Sequence, residues 1–162
     1  MIVRSFAPIS APGAHTLILG SMPGAASLVA GEFYAHPRNA FWPIMGALFG
    51  AGPDLPYAER VCRLKAEGVA VWDVLQACER EGSLDAKIRS EVPNDFAAFF
   101  ALHPAIRRIG LNGGKAAASF RKYAASSLAA GVQVHVLPST SPAYAARGLA
   151  EKCASWRAAL CA

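Results

Sequence analysis

Apolar residues fall into four short runs, each followed by a cluster of Gly, Ser or Asn and then by a segment with apolar positions at helical spacing. The first run, HTLIL at 15–19, leads into Gly-Ser-Met-Pro-Gly and a long loop reaching about Arg38. Asn39 is placed to cap a helix in which Phe41, Trp42, Ile44, Met45 and Leu48 share a face. Pro43 is tolerated in its first turn and Gly50 ends it. A second helix is expected over 56–68, with Ala58, Val61, Cys62 and Leu64 on one side, and VAVWDVL at 69–75 reads as the second strand. Residues 77–92 are polar and irregular; Asn94 then caps a helix carrying Phe96, Phe99, Phe100 and Leu102. Strand RRIGL, a Gly-Gly turn at 113–114 and a helix over 115–128 follow. The last unit is strand VQVHVLP, a polar loop STSPAY and a helix over 145–160.

Unbroken apolar runs, as opposed to alternating ones, mark strands buried on both faces, and their alternation with helices implies a parallel sheet. The expected fold is therefore α/β, three layers in the order α/β/α, with a central, mostly parallel four-stranded sheet. In such sheets ligands bind beyond the carboxyl ends of the strands. Here those ends are the loops 20–38, 112–115 and 138–144.

At 162 residues, 54% apolar and 17% charged, the chain suits one domain over 1–162 with a full core, and disorder is excluded. The span from Ser5 to Gly31 has no charged side chain, but Pro8, Pro12, Gly13, Gly20, Pro23 and Gly24 break it. No window reaches the roughly 18 to 20 apolar residues of a membrane-spanning helix, and HTLIL lies too far inside for a secretory leader, so a cytoplasmic protein is expected. Cys62, Cys78, Cys153 and Cys161 have no metal-ligand spacing; Cys62 and Cys78 read as buried thiols. No metal or organic cofactor is expected.

The net charge of +5 is unevenly distributed: six bases face seven acids up to Gly82, and ten face four beyond it. A solvated basic face and a polyanionic partner explain this equally well. If nucleic acid binds, the C-terminal half supplies many of the phosphate contacts.

Three segments carry the candidate chemistry. Gly20-Ser-Met-Pro-Gly24 follows the first strand but lacks the pattern of a phosphate-binding loop. Tyr34-Ala-His-Pro-Arg-Asn-Ala-Phe-Trp42 crowds aromatics, a His and an Asn into the same loop, and Val136-Leu-Pro-Ser-Thr-Ser-Pro-Ala143 ends the last strand. Together with Asn112-Gly-Gly-Lys115 these resemble the uracil-DNA glycosylase superfamily over nearly the whole chain. The similarity is closest to its hypoxanthine-DNA (deoxyinosine) glycosylase family, related to the mismatch-specific branch.

The resemblance implies an enzyme that flips a deaminated base from double-stranded DNA, stacks it on an aromatic ring and hydrolyses its N-glycosidic bond. Hypoxanthine is the expected base, with uracil or xanthine as further substrates. The absence of a lysine nucleophile in the motifs implies no lyase step. Much of the superfamily has Asp or Asn third in the first motif to position the water. Met22 stands there, and a thioether orients water poorly. The role passes to Asn39, which matches the catalytic Asn of the hypoxanthine family; helix capping is its other reading, and the two are compatible.

Tyr34 matches the base-stacking aromatic, against an ordinary core or surface tyrosine. Ser21 and Met22 join it in the base pocket. Asn112 reads the base edge or forms the turn before Gly-Gly. Pro23, Gly24, His36 and Arg38 are assigned to the DNA strand, although His36 could equally hold its own loop.

Ser139, Thr140 and Ser141 suit phosphates, while Pro142, Ala143 and Tyr144 suit the gap left by a flipped base, against the alternative of a serine-rich turn. Arg80, Lys115 and Arg147 are candidate phosphate contacts. Asp73 or Asp85 is the alternative general base. A monomer with no obligate protein partner is expected. Two competing functions remain at this point: a damaged-DNA-binding module of this fold that is catalytically weak, and a Cys or Ser hydrolase, for which no nucleophile elbow is present.

Overall fold

The structure, a computed structural model, describes residues 1–161. The elements are β1 (Ile2–Arg4), β2 (Thr16–Gly20), α1 (Ala25–Ala30), α2 (Phe41–Phe49), α3 (Tyr57–Ala66), β3 (Val69–Asp73), β4 (Leu75–Glu79), β5 (Arg89–Pro93), α4 (Phe96–Leu102), β6 (Arg108–Asn112), α5 (Gly114–Tyr123), β7 (Gln133–Leu137) and α6 (Leu149–Leu160). Four strands form the expected parallel sheet, in the order β3-β2-β6-β7. Leu19 pairs with Trp72 and Leu111, so β2, β3 and β6 end side by side at Gly20, Asp73 and Asn112.

Side chains of β2 point alternately to two cores. Leu17 and Leu19 join Phe96, Phe99, Ala117 and Phe120 from α4 and α5. Ile18 faces the other way and joins Phe41, Ile44, Met45, Leu64, Trp156 and Leu160 from α2, α3 and α6. These are the three layers. Every residue of β2 is buried, which accounts for its unbroken apolar run.

The segment 77–92 departs from the expectation of irregular polar chain. It takes in most of β4 and β5, which with β1 form a second, antiparallel sheet in the order β1-β4-β5. The chain passes from β3 to β4 through the single residue Val74. The β4 to β5 register shifts twice, between Leu75 and Ala77 and between Ala77 and Glu79, and Ser90 has φ +53°. Such bulges break the two-residue alternation by which a strand is read.

Smaller corrections have local causes. Asp95, and not Asn94, caps α4, its carboxylate accepting from Ala98 N–H at 3.0 Å; Asn94 instead donates to the Asp73 carbonyl at 2.8 Å. Helix α5 starts at Gly114 and ends at Tyr123, and α6 starts only at Leu149. The chain before α6 is held by the buried Lys152, whose ammonium donates to the Tyr144 carbonyl at 2.8 Å. Cys62 is exposed on α3, whereas Cys78 is buried. The loop after β2 hides the six-residue helix α1, too short for a periodic signal.

Candidate active site

A cavity of about 310 Å³ opens beyond the carboxyl ends of β2, β3 and β6. Its floor is set by Gly20. A Cβ there would lie 2.6 Å from Asp73 Oδ1 and 2.8 Å from the Tyr34 hydroxyl, so only glycine lets these groups approach the strand end. Tyr34 itself has φ +55°, an unusual conformation for a side chain of this size. Its ring stacks on Phe41 with centroids 4.0 Å apart and planes 19° from parallel. The hydroxyl is buried without a hydrogen-bond partner. Burial, reinforced by the charge of Asp73, holds the phenol far above its usual pKa, so it stays neutral.

Asp73 is 3% exposed, and its Oδ2 has no hydrogen-bond partner. Burial, then repulsion from Asp85, push its pKa up to about 7 against the opposing pull of Arg80.

The segment following β4 closes one wall by gripping the first motif. Ser21 Oγ donates to Asp85 Oδ1 at 2.7 Å, Ala25 N–H donates to Ser83 Oγ at 2.7 Å, and Arg80 Nη2 donates to the Pro23 carbonyl at 2.5 Å. Arg80 is 97% buried and therefore holds this loop; it does not meet a phosphate.

The second motif is held from behind. Trp42 Nε1 donates to the Phe33 carbonyl at 2.8 Å, and Ala35 N–H donates to the buried Ser27 hydroxyl at 3.1 Å. Asn39 Oδ1 accepts from Phe41 N–H at 2.9 Å, an Asx turn leading into α2; the N-cap position is Ala40 and not the expected Asn39. This fixes the amide while leaving its NH2 group and the second lone pair of Oδ1 free for other partners. His36 Nδ1 accepts from Arg38 N–H at 3.1 Å, which orients the ring at the cavity.

The third wall is a reciprocal tie. Thr140 N–H donates to Asn112 Oδ1 and Asn112 Nδ2 donates to Thr140 Oγ1, both at 3.0 Å, while the Thr140 carbonyl accepts from Ala40 N–H at 3.0 Å. One buried threonine thus joins β6, the last loop and the start of α2. The hydroxyls of Ser139 and Ser141 accept from Ser141 N–H and Ala143 N–H, each at 3.2 Å, shaping the loop beside the cavity.

The family model for the uracil DNA glycosylase superfamily matches residues 7–161. The chain belongs to this superfamily. A relative from Methanosarcina acetivorans named hypoxanthine DNA glycosylase is 36% identical, the match covering 88% of this chain and 89% of the relative. One of the same name from Methanosarcina barkeri is 32% identical over 94% of each. A solution NMR structure of a Methanosarcina acetivorans protein, described as a candidate uracil DNA glycosylase, superposes with a TM-score of 0.80, at 33% identity and 98% coverage of both chains.

Within this superfamily fold, Ser21, Met22, Pro23, Gly24, Tyr34, His36, Asn39, Asn112, Ser139, Thr140, Ser141, Pro142 and Ala143 all line one cavity. Met22 is 8% exposed and packs into the core, giving that wall an apolar surface where a polar group was sought. Thr140 is 1% exposed with its hydroxyl engaged by Asn112, so it positions loops and does not meet phosphate. Asn112 spends most of its amide on that same tie.

Lys115 lies outside the cavity, in an ion pair with Glu91, which also accepts from the Tyr123 hydroxyl at 2.7 Å. Tyr144 and Arg147 line a shallower depression beside β7, where Arg147 Nη1 donates to Ser155 Oγ at 3.1 Å. Arg38 is exposed at the rim of the second motif.

The excess of base in the C-terminal half is correspondingly smaller as a DNA surface than the sequence count suggests. Lys152 and Lys115 are committed internally, and Arg108 Nη1 donates to the Leu160 carbonyl at 2.7 Å. Ser27, Ser83 and Leu84 are cavity residues that sequence reading missed. Ser27 sits in a helix too short to detect, and the other two lie in the segment read as irregular. Among the described residues, no group of three or more His, Cys, Asp or Glu is placed to hold a metal, and no helix is long and apolar enough to cross a membrane.

Proposed function

We propose that this protein is a monofunctional DNA glycosylase that releases a deaminated base, hypoxanthine before uracil or xanthine, from double-stranded DNA. The observation that carries the reading is the convergence of the 20–24, 34–42, 112 and 138–144 segments on a single base-sized cavity. A nucleotide rotated out of the duplex enters this cavity and its base lies against the Tyr34 ring, whose other face Phe41 supports.

The C1′–N bond then lengthens, positive charge builds on the sugar and negative charge on the departing base. Asn39, its amide fixed by Phe41 N–H, aligns the attacking water under C1′. An amide is a weak base, and it suffices where stabilising the leaving group supplies most of the barrier reduction. His36, Ser139 and Ser141 hold the flanking phosphates, and Pro142 and Ala143 fill the vacated stack. A monomer acting in the cytoplasm fits this reading.

The deciding experiment incubates the protein with duplexes and single strands carrying one deoxyinosine, deoxyuridine or deoxyxanthosine, and cleaves abasic sites with alkali. Strand breaks at deoxyinosine are expected; none at any damaged base refutes the proposal. The apolar Met22 wall favours one competing reading, a damaged-DNA binder, which would show salt-dependent binding without base release.

Phosphate contacts are separable from base handling. Arg147→Gln is expected to weaken binding to damaged and intact duplex alike and to lower the salt slope by about one. Lys115→Gln leaves that slope unchanged, because its ammonium is paired with Glu91. Fluorescence anisotropy across a salt series checks both.

A further inference from the structure

Asp73 is the one acidic side chain on the cavity floor, and the mechanism above gives it no task. Its backbone is fixed from both sides. Val74 N–H donates to the Gly20 carbonyl at 2.8 Å and Asn94 Nδ2 donates to the Asp73 carbonyl at 2.8 Å, so the strand end cannot swing away. The Gly20 gap brings Oδ1 to the strand end beside the Tyr34 hydroxyl, and Oδ2 is buried with no partner. A buried polar oxygen left unpaired is costly unless something arrives to pair with it.

The reaction lacks a donor to match. The departing base leaves with the electron pair of the C1′–N bond, water adds to C1′, and the water proton passes to solvent. The negative charge on the base calls for hydrogen-bond donors around its ring. The Thr140 hydroxyl accepts from the Asn112 amide and Ser139 Oγ from Ser141 N–H, and neither is a donor as strong as a carboxylic acid.

We propose that Asp73, in its protonated form, donates a hydrogen bond to the departing base and is a further catalytic residue of this site. The inference rests on the glycosylase reading and deepens it. The acid keeps its proton throughout, and donation to a ring nitrogen or carbonyl strengthens as charge builds there.

The surroundings favour the neutral acid. Tyr34, from the 34–39 loop, is itself neutral, and Asp85 repels a second negative charge. Arg80, from the segment after β4, opposes this: its Nη2 donates to the Pro23 carbonyl while Nε and Nη1 are buried without partners, and the pull of its charge is outweighed by burial and Asp85. His36 lines the same cavity, while β2, β6 and the 139–143 loop contribute no titratable side chain. A base filling the cavity expels water and raises the cost of ionising Asp73 further.

The test is single-turnover release of hypoxanthine from a deoxyinosine duplex between pH 5.5 and 9, with wild type, Asp73→Asn and Asp73→Ala. The wild-type rate is expected to fall as pH rises through the Asp73 titration near 7. Asp73→Asn, which keeps a donor of the same shape, loses that alkaline fall and overtakes wild type at pH 9. Asp73→Ala is slower by about 10²-fold or more at low pH, the usual cost of deleting one such donor. Wild-type rates in Asp73→Ala, equal losses in Asn and Ala, or one pH profile shared by all three would overturn the inference alone. Failure of wild type to release any base overturns the glycosylase reading and this inference with it.

Discussion

Asn39→Ala is expected to reduce single-turnover base release by about 10³-fold, within the range for groups that orient or activate the nucleophile. Substrate binding should change little. The side chain is half-buried, and its one internal bond is the turn to Phe41 N–H. Losing that bond costs roughly 1 kcal/mol of stability, too little to unfold a domain with two buried cores. The catalytic and turn-holding contributions are therefore separable. Asn39→Ser retains a side-chain oxygen that can accept from the same N–H while shortening the reach towards water. It should restore the melting temperature without restoring the rate. A rate for Asn39→Ala near wild type would remove Asn39 from the mechanism and return attention to Asp85 as an alternative base.

Gly20→Ala is the second large effect. The added methyl would sit 2.6 Å from Asp73 Oδ1 and 2.8 Å from the Tyr34 hydroxyl, distances no real Cβ tolerates. Neither neighbour yields easily, since Asp73 ends a buried strand and Tyr34 is wedged against Phe41. Reaching ordinary contact moves the cavity floor by up to about 1 Å, and a misplacement of that size costs about 10²-fold in rate. Gly13→Ala, where nothing lies within 4 Å, is the matched control and should retain full activity. Both variants can be compared by single-turnover kinetics alongside thermal melts; an active Gly20→Ala would show that the floor is more plastic than its packing implies.

The parallel sheet was legible because HTLIL, VAVWD and RRIGL are largely buried runs with few polar interruptions, whereas VQVHVL, mostly exposed at the sheet edge, is read from its recurring valines and not from burial. Residues of β4 and β5 were not, because the bulges at Ala77, the positive φ of Ser90 and the largely exposed face of β5 leave no alternation to read. The same difference governs the site. Tyr34, Asn39 and Asn112 could be picked out because they sit within recognisable motifs at strand ends. Ser83 and Leu84 could not, and Asp85 was read only as an alternative base, since the wall they form with Arg80 is defined by three hydrogen bonds across more than fifty residues of chain. Arg80 shows the limit of reading charge alone: a basic residue in a polar stretch suggests a surface, yet a backbone carbonyl 57 positions away draws it inside. Asp73 stood out as an acid at a strand end, but its missing partner is visible only in three dimensions.

The threonine tie between Asn112, Ala40 and the last loop has a consequence for how the molecule acquires activity during folding. Thr140 connects segments that lie a hundred residues apart, and it can do so only after β7 has joined the sheet beside β6. Contacts of such long sequence separation form late and are among the first to yield when the edge of a sheet opens. Base release should therefore track the docking of the final β-α unit, making catalysis a sensitive reporter of the last step of folding.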